Sequence, residues 1–533
     1  MPSSLAIETA RRRTVAIISH PDAGKTTITE KLLLYSGAKQ SAGSVKTRRT
    51  GRSTSSDWLE MEKQRGISVS SAVLQFEYNN FRINLLDTPG HRDFSEDTYR
   101  VLTAVDSAIM VLDAAKGIED QTLKLFEVCR RRGIPIVTFI NKCDRPGREP
   151  LELLDEIEER LGLRTFAVNL PIGNGPDFAG IFERTYKRFN RFERVAGGAF
   201  RSPVRVSGVD DPALRERIRP ELFETLLETD RLLEEAGHGL DRAEIARGAL
   251  TPVFFGSAIN NFGVQLLLDG FLEYSSPPQP KQTADREIAP EHPVFSAFVF
   301  KIQANTDPNH RDRLSFLRIC SGRFHRDIRA KHVQSGKSVR LSHSYQVFGR
   351  DRDTSDEAYP GDILGLTGQP DLEIGDTLAE DSGICYKAIP RFAPECFLFL
   401  HHTDTRTYKR FAKGLRQLLQ EKVVQRFTLV KSSSRIPLIG AVGRLQFDVV
   451  RHRLSSEYQA ETRAEDAPWT VTRWVDPGAA GHEAFSRHLS GAVLARDDQD
   501  RLCVLFESRW NCDYFAREHD DIPLYQSPPD PFS

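Results

Sequence analysis

The sequence predicts a multidomain chain, with an α/β P-loop domain first, a small β-barrel second and an α+β domain last. Three observations predict it. Apolar runs between Val15 and Phe255 each end in a short polar loop, with helical patterns between them. The stretch Ser275-Ser276-Pro277-Pro278-Gln279-Pro280-Lys281 then interrupts the pattern as a linker does. Beyond it short alternating strands follow one another, and from about Arg391 helical and strand patterns mix. At 533 residues the chain exceeds what a single core supports.

The first apolar run, Val15-Ala16-Ile17-Ile18, delivers Ser19-His20-Pro21-Asp22-Ala23-Gly24-Lys25-Thr26 and then a helical pattern. This is the context of a phosphate-binding loop, in which backbone N–H groups and a helix N-terminus face the phosphates. Lys25 neutralises the β- and γ-phosphates there, and the Thr26 hydroxyl binds Mg²⁺. Ser19 stands where the general pattern has its first glycine. The next run, Ile83-Asn84-Leu85-Leu86, ends in Asp87-Thr88-Pro89-Gly90-His91. Asp87 suits the Mg²⁺ shell, through water, and the Gly90 N–H suits a γ-phosphate sensor. Between the two loops, the polar segment from Ser56 to Ser68 is expected to hold a switch, with the Ser68 hydroxyl completing the Mg²⁺ shell.

Two further strands, Ala108–Asp113 and Ile136–Ile140, lead to Asn141-Lys142-Cys143-Asp144. A fixed Asp144 carboxylate accepts both the N1–H and the 2-amino hydrogens of guanine, a pattern that adenine does not offer. Asn141 is expected to brace the loop and the base edge, and the Lys142 stem to cover one ring face. A last strand, Thr251–Phe255, delivers Gly256-Ser257-Ala258, whose N–H groups are placed to meet guanine O6. Each tetrapeptide alone reads as an ordinary turn. Four of them in this order, each at the carboxyl end of an apolar strand, describe a GTP-binding domain, because ligands of open α/β sheets bind at that edge.

Composition is that of a globular protein, with 39% hydrophobic and 28% charged residues and a net charge of −1. No bulk positive field draws it onto nucleic acid, so RNA contact falls to local patches. Three such patches are Arg11-Arg12-Arg13, Lys46 with Arg48, Arg49 and Arg52, and Arg130-Arg131-Arg132. Seven cysteines without Cys-x-x-Cys spacing imply free thiols and no zinc site. The absence of a signal-peptide pattern and of a run near ~20 apolar residues points to a cytoplasmic protein with no membrane partner. Domain ranges of 1–280, 290–385 and 391–533 follow. The barrel rests on strands such as Phe295–Ile302, Leu314–Ile319 and Ile363–Leu366, and the last domain on helical patterns at Tyr408–Leu419 and Leu445–Leu454.

The loop His20–Thr27, the run Ser56–Ser68, Asp93–Arg100, Phe298–Asn305 and Gly440–Val450 together resemble the bacterial peptide chain release factor three family, class II release factors and translational GTPases of the elongation factor G type. The resemblance covers nearly the whole chain. It implies a G domain with an inserted subdomain at about 150–250, a barrel and a third domain. It implies removal of class I release factors from the ribosome after peptide release. His91 would orient the attacking water near the sarcin-ricin loop of large-subunit RNA, and the protein would be a monomer off the ribosome. Three features depart from the pattern. Arg92 stands where an acidic residue is usual, Cys396–His402 is unusually apolar, and the tail after about Asp476 matches poorly. A translocase or ribosome-protection relative would need two more domains than the roughly 275 residues after Ala258 allow. A GTP-dependent binding scaffold without hydrolysis is the reading from a different class, and Lys25, Thr26, Asp87 and His91 together argue against it.

Overall fold

The computed structural model describes residues 3–37, 71–91, 93, 95–191, 206–208, 218–304, 313–348, 351–387, 389, 391–432, 435–482, 485 and 491–528. Ser68, Arg92 and the patch of Lys46, Arg48, Arg49 and Arg52 lie outside these residues.

The chain opens with helix α1 (Ser4–Ala10) and strand β1 (Arg12–Ser19), followed by α2 (Lys25–Tyr35). Strands β2 (Ala72–Tyr78) and β3 (Phe81–Asp87) form a hairpin. Its turn is Asn79-Asn80 with φ of 46° and 64°, the positive pair a type I′ turn needs. Then come α3 (Ser95–Ala104), β4 (Ser107–Asp113), α4 (Asp120–Arg131), β5 (Ile136–Asn141), α5 (Pro150–Leu161) and β6 (Arg164–Ala167). A separate four-stranded sheet holds β7 (Asn169–Ile172), β8 (Gly180–Glu183), β9 (Arg188–Arg191) and β10 (Val206–Gly208), and α6 (Pro220–Glu235) and α7 (Arg242–Ala246) follow. Strand β11 (Leu250–Phe255) and α8 (Val264–Tyr274) return to the main sheet, whose order is β2-β3-β1-β4-β5-β11-β6.

All neighbours in that sheet are parallel except β2 with β3. Every residue of β1, β4, β5 and β11 is buried, which explains why these strands read as unbroken apolar runs. The interval expected as an insertion begins with α5 and β6, and β6 is the edge strand of the main sheet, so the separate sheet starts only at β7. The chain leaves β1 for β3 on one side and for β4 on the other, which makes the carboxyl end of β1 the switch point of the sheet.

The second unit is an eight-stranded antiparallel sheet built on Ser296–Ala304 and Arg313–Ser321, with a register shift between Val299 and Lys301. Phe295, Val299, Leu317, Ile319 and Phe324 fill its core. It is fastened to the first unit by buried polar groups. Arg12 Nε donates to Asp362 Oδ2 at 2.8 Å, and the Gly361 carbonyl accepts from Thr14 Oγ1, Asn84 Nδ2 and Arg318 Nη1. Arg318 in turn pairs with Asp106. Arg13 donates to Ser275 Oγ at 3.0 Å and lies over the Phe81 ring, and burial lowers its pKa to about 10 against the pull of Asp106. Arg12 is therefore an interface residue and Arg13 is buried within the first unit, so neither offers a surface for RNA, which corrects the expectation for these two residues of the patch. Arg130, Arg131 and Arg132 are exposed, with Arg132 over the Tyr99 ring.

The third unit is a seven-stranded sheet carrying α9 (Tyr408–Gln420), α10 (Arg444–Tyr458) and α11 (Arg509–Glu518). The apolar stretch Cys396–His402 is an inner strand of this sheet, paired on one side with Leu438–Ala441 and on the other with Thr462–Ala467. Its composition is explained by that position.

Candidate nucleotide site

The strands β1, β3, β4, β5 and β11 end at one edge, and the loops beginning at Ser19, Asp87, Asn141 and Gly256 leave from it. Register fixes this: Ile17 pairs with Asp87, Asp113 with Asn141, and Ile140 with Phe255. The first loop turns through Asp22 and Gly24, both with positive φ (66° and 101°), and Gly24 precedes Lys25 as the first residue of α2. A Cβ on Gly24 would lie 2.2 Å from Asn141 Nδ2. Gly24→Ala is expected to impose about 1–3 kcal/mol of strain, or about one to two powers of ten in nucleotide affinity. Titration with a fluorescent GDP analogue checks it.

Asn141 acts as a staple. Its Nδ2 donates to the Ala23 carbonyl at 2.8 Å, and its Oδ1 accepts from the Ala258 N–H at 2.9 Å. It thereby joins the Ala23 loop to the Ala258 loop. The Gly256, Ser257 and Ala258 N–H groups, expected to meet guanine O6, have partners within the protein. The Gly256 N–H donates to the Ile140 carbonyl, that of Ser257 to Phe262, and that of Ala258 to Asn141. Ser257 is buried, and its hydroxyl accepts from Asn260 Nδ2.

Lys142, with φ of 69°, reaches the Asp22 carbonyl at 2.6 Å and Asp113 Oδ2 at 2.7 Å. Burial raises the Asp113 pKa, but the hydrogen bonds from Lys142 and Ala115 and the charge of Lys116 outweigh it and hold it below the usual carboxylate value. Cys143 is buried, its N–H donates to the Gly256 carbonyl, and burial raises its thiol pKa to about 12, so it is a packing residue. Asp113 was assigned only a strand end from the sequence. The structure places it at the same sheet edge, where it holds Lys142.

Lys25 Nζ donates to Asp87 Oδ1 at 2.7 Å, with both side chains buried. Asp87 Oδ2, Ser19 Oγ and Asp144 Oδ1 are each buried without a hydrogen-bond partner. Thr88 Oγ1 donates to the Ile17 carbonyl at 2.6 Å and pins the start of the Asp87 loop to β1. Gly90 approaches the Pro21 backbone closely enough that a Cβ would lie 3.5 Å from Pro21 Cα. Thr26, at the head of α2, is half-buried. His20 Nδ1 lies 3.2 Å from Glu119 Oε2, poorly aligned for a hydrogen bond. Burial lowers the His20 pKa, Lys116 adds to this, and Glu119 opposes it.

His91 is partly exposed, and its Nδ1 accepts from the Asp93 N–H at 3.2 Å. Asp93 itself reaches the third unit, where its Oδ2 accepts from the Leu445 N–H at 2.8 Å, in the first turn of α10. A Cβ on Gly443 would lie 2.0 Å from Asp93 Cγ, so only glycine admits this approach. Helix α3 is held likewise. Arg100 donates to the Glu421 and Lys422 carbonyls, and Tyr99 meets Phe392 edge to face. From the barrel, Lys301 donates to Ser71 Oγ at 2.6 Å and lies 3.8 Å from Asp97.

Comparison with known proteins accords with this geometry. Residues 10–277 match the elongation factor Tu GTP binding domain, residues 294–381 elongation factor G domain 2, and residues 386–516 the class II release factor RF3 C-terminal domain. A peptide chain release factor 3 of Rippkaea orientalis is 50% identical over 519 residues, 97% of this chain and 96% of its own. One from Gloeobacter violaceus is 49% identical over 526 residues, 99% of each chain. A crystal structure of a Thermus thermophilus protein superposes with a TM-score of 0.69 at 25% identity, over 92% of this chain and 72% of that one. The match to residue 516 overturns the expectation of a poor fit after Asp476. Among the described residues no helix is long and apolar enough to cross a membrane. A guanine-nucleotide domain, the second domain of an elongation factor and a release-factor C-terminal domain follow one another along the chain, which belongs to the peptide chain release factor 3 family and is a translational GTPase acting in termination.

Proposed function

We propose that this GTPase, stimulated by the ribosome, dissociates class I release factors after the finished peptide has been released. The observation that carries it is the release-factor C-terminal match over residues 386–516, joined to a nucleotide site whose buried Asp87 Oδ2 and Asp144 Oδ1 lack partners. In this reading Asp144 reads the guanine edge, and the Lys142 stem covers the ring. The first loop, Ser19 to Thr26, encloses the phosphates, with Lys25 moving its ammonium from Asp87 toward them. Thr26, Ser68 and, through water, Asp87 would hold Mg²⁺, which when bound neutralises charge on the β- and γ-phosphates. Thr88, Pro89 and Gly90 carry the loop that meets the γ-phosphate, and His91 orients the attacking water once the sarcin-ricin loop of the ribosome engages it. The division into domains 1–280, 290–385 and 391–533, a cytoplasmic setting and a monomeric state off the ribosome belong to the same reading.

The test follows a labelled class I release factor on a post-hydrolysis termination complex. Addition of this protein with GTP should accelerate its departure, and an unchanged rate defeats the assignment. His91→Ala is expected to lower ribosome-stimulated hydrolysis by about 10²- to 10⁴-fold, while GDP affinity stays as it is. Phosphate release with purified ribosomes measures it, and undiminished turnover removes His91 from the mechanism.

A further inference from the structure

The third unit carries a charged helix face that neither the nucleotide site nor the packing employs. Helix α9 reads Tyr-Lys-Arg-Phe-Ala-Lys-Gly-Leu-Arg-Gln-Leu-Leu-Gln and holds no acidic residue. Phe411, Gly414, Leu415 and Leu418 form its buried side, where Gly414 lies against Leu454 and Tyr458 of α10. At about 3.6 residues per turn, Lys409, Lys413 and Arg416 form a straight stripe directly opposite that side, and all three are exposed. Arg406, in the turn before the helix, and Arg410 flank the stripe and are exposed as well. Arg410 donates to Gln459 Oε1, and among the described residues none of the five cations is in an ion pair.

Nothing internal to the fold accounts for this face. Lys409 and Lys413 are like charges at i,i+4, which destabilises a helix. Arg406, Lys409 and Arg410 stand at the helix N-terminus, the wrong end of the macrodipole for cations. Several exposed arginines on other helices do have carboxylate partners at i±4, as with Arg131 and Glu127, Arg160 and Glu156, and Arg231 and Glu235, whereas among the described residues the five cations here have none. The whole chain carries a net charge of −1, so the stripe does not reflect a basic composition.

We propose that the exposed face of α9 binds the phosphate backbone of RNA. Cations three and four residues apart lie about 5–6 Å from one another, a line suited to successive phosphates, and neutralising them releases counterions. Tyr408, exposed at the head of the stripe with its ring 5.1 Å from that of His402, adds an aromatic face on which an unpaired base can stack. The surface is distinct from the nucleotide site and does not depend on which factor the GTPase displaces.

The experiment uses the full chain and fluorescent RNA of about 20 nucleotides, as a single strand and as a duplex, titrated between about 50 and 200 mM salt. In the triple variant Lys409→Gln, Lys413→Gln, Arg416→Gln, the slope of log affinity against log salt should fall by about 2–3. Each single substitution should lower it by about 1. Lys409→Arg with Lys413→Arg should bind as the parent does. Circular dichroism and GDP binding equal to the parent show that the variants are folded. RNA affinity and salt slope unchanged in both triple and single variants overturn the proposal. So does a triple variant that loses binding to polyglutamate while keeping RNA, since that outcome assigns the face to an acidic protein.

Discussion

Asp144→Asn is expected to invert the base preference, so that xanthine nucleotides bind better than guanine nucleotides. The carboxylate offers two acceptors to the N1–H and 2-amino hydrogens of guanine. An asparagine offers one acceptor and one donor, which suits the N1–H and the 2-oxo group of xanthine and leaves a guanine donor facing an N–H. Sites built on such a hydrogen bond reject the wrong partner by about 10⁴-fold or more, because the loss leaves a buried polar group unpaired. The surrounding loop should not move. It is held by Asn141 to Ala23 and Ala258, by Lys142 to Asp22 and Asp113, and by the Cys143 N–H to Gly256, none of which involves the Asp144 side chain. Competition between GTP and XTP in binding and in phosphate release measures the effect. Guanine selectivity equal to that of the parent would show that Asp144 does not read the base.

Arg318→Ala is expected to destabilise the union of the first unit with the barrel by about 3–5 kcal/mol. Arg318 and Asp106 are each only 1% exposed, and the guanidinium also donates to the Gly361 carbonyl at 2.8 Å. Truncation leaves the carboxylate in a buried interface with Lys281 Nζ at 3.4 Å and the charge of Arg13 as its remaining cationic neighbours. Removing one partner of a buried pair costs far more than removing both. Asp106→Asn combined with Arg318→Ala should therefore be less destabilised than the two single effects added together, a non-additivity that a double-mutant cycle isolates. Urea titration followed by tryptophan fluorescence and circular dichroism checks it. A loss under about 1 kcal/mol would mean that the pair behaves as a surface pair does.

The first unit was legible because its strands are buried on both faces and its loops carry residues with few alternatives. A run such as Ile136–Ile140 marks a strand, and the order of four loops at such strand ends, rather than any one tetrapeptide, marks a nucleotide domain. The Ser257-Ala258 loop was legible in position but not in bonding. Which acceptor an N–H meets depends on Asn141, more than a hundred residues earlier. Arg12 and Arg13 show the same limit from the other side, since a run of cations carries no mark of the Asp362 that pairs with Arg12 or of the burial of Arg13. The hydrogen bond from Leu445 to Asp93 spans 352 positions and had no local signature except Gly443, whose missing side chain makes room for it.

That last contact has a thermodynamic consequence. Asp93 and Arg100 lie on the segment after the Asp87 loop, and both are bonded to the third unit, while Lys301 of the barrel lies 3.8 Å from Asp97 of the same segment. If the phosphates displace this segment, the bonds to α10 and to the Glu421–Lys422 turn must break or carry the third unit along. Any ligand of the third unit that prefers one of those placements then changes guanine nucleotide affinity by some factor, and the nucleotide changes the affinity for that ligand by the same factor. Under that displacement the site at the sheet edge and the surface of the third unit would be two sides of one linked equilibrium, with the Asp93 carboxylate as a point where the two are joined.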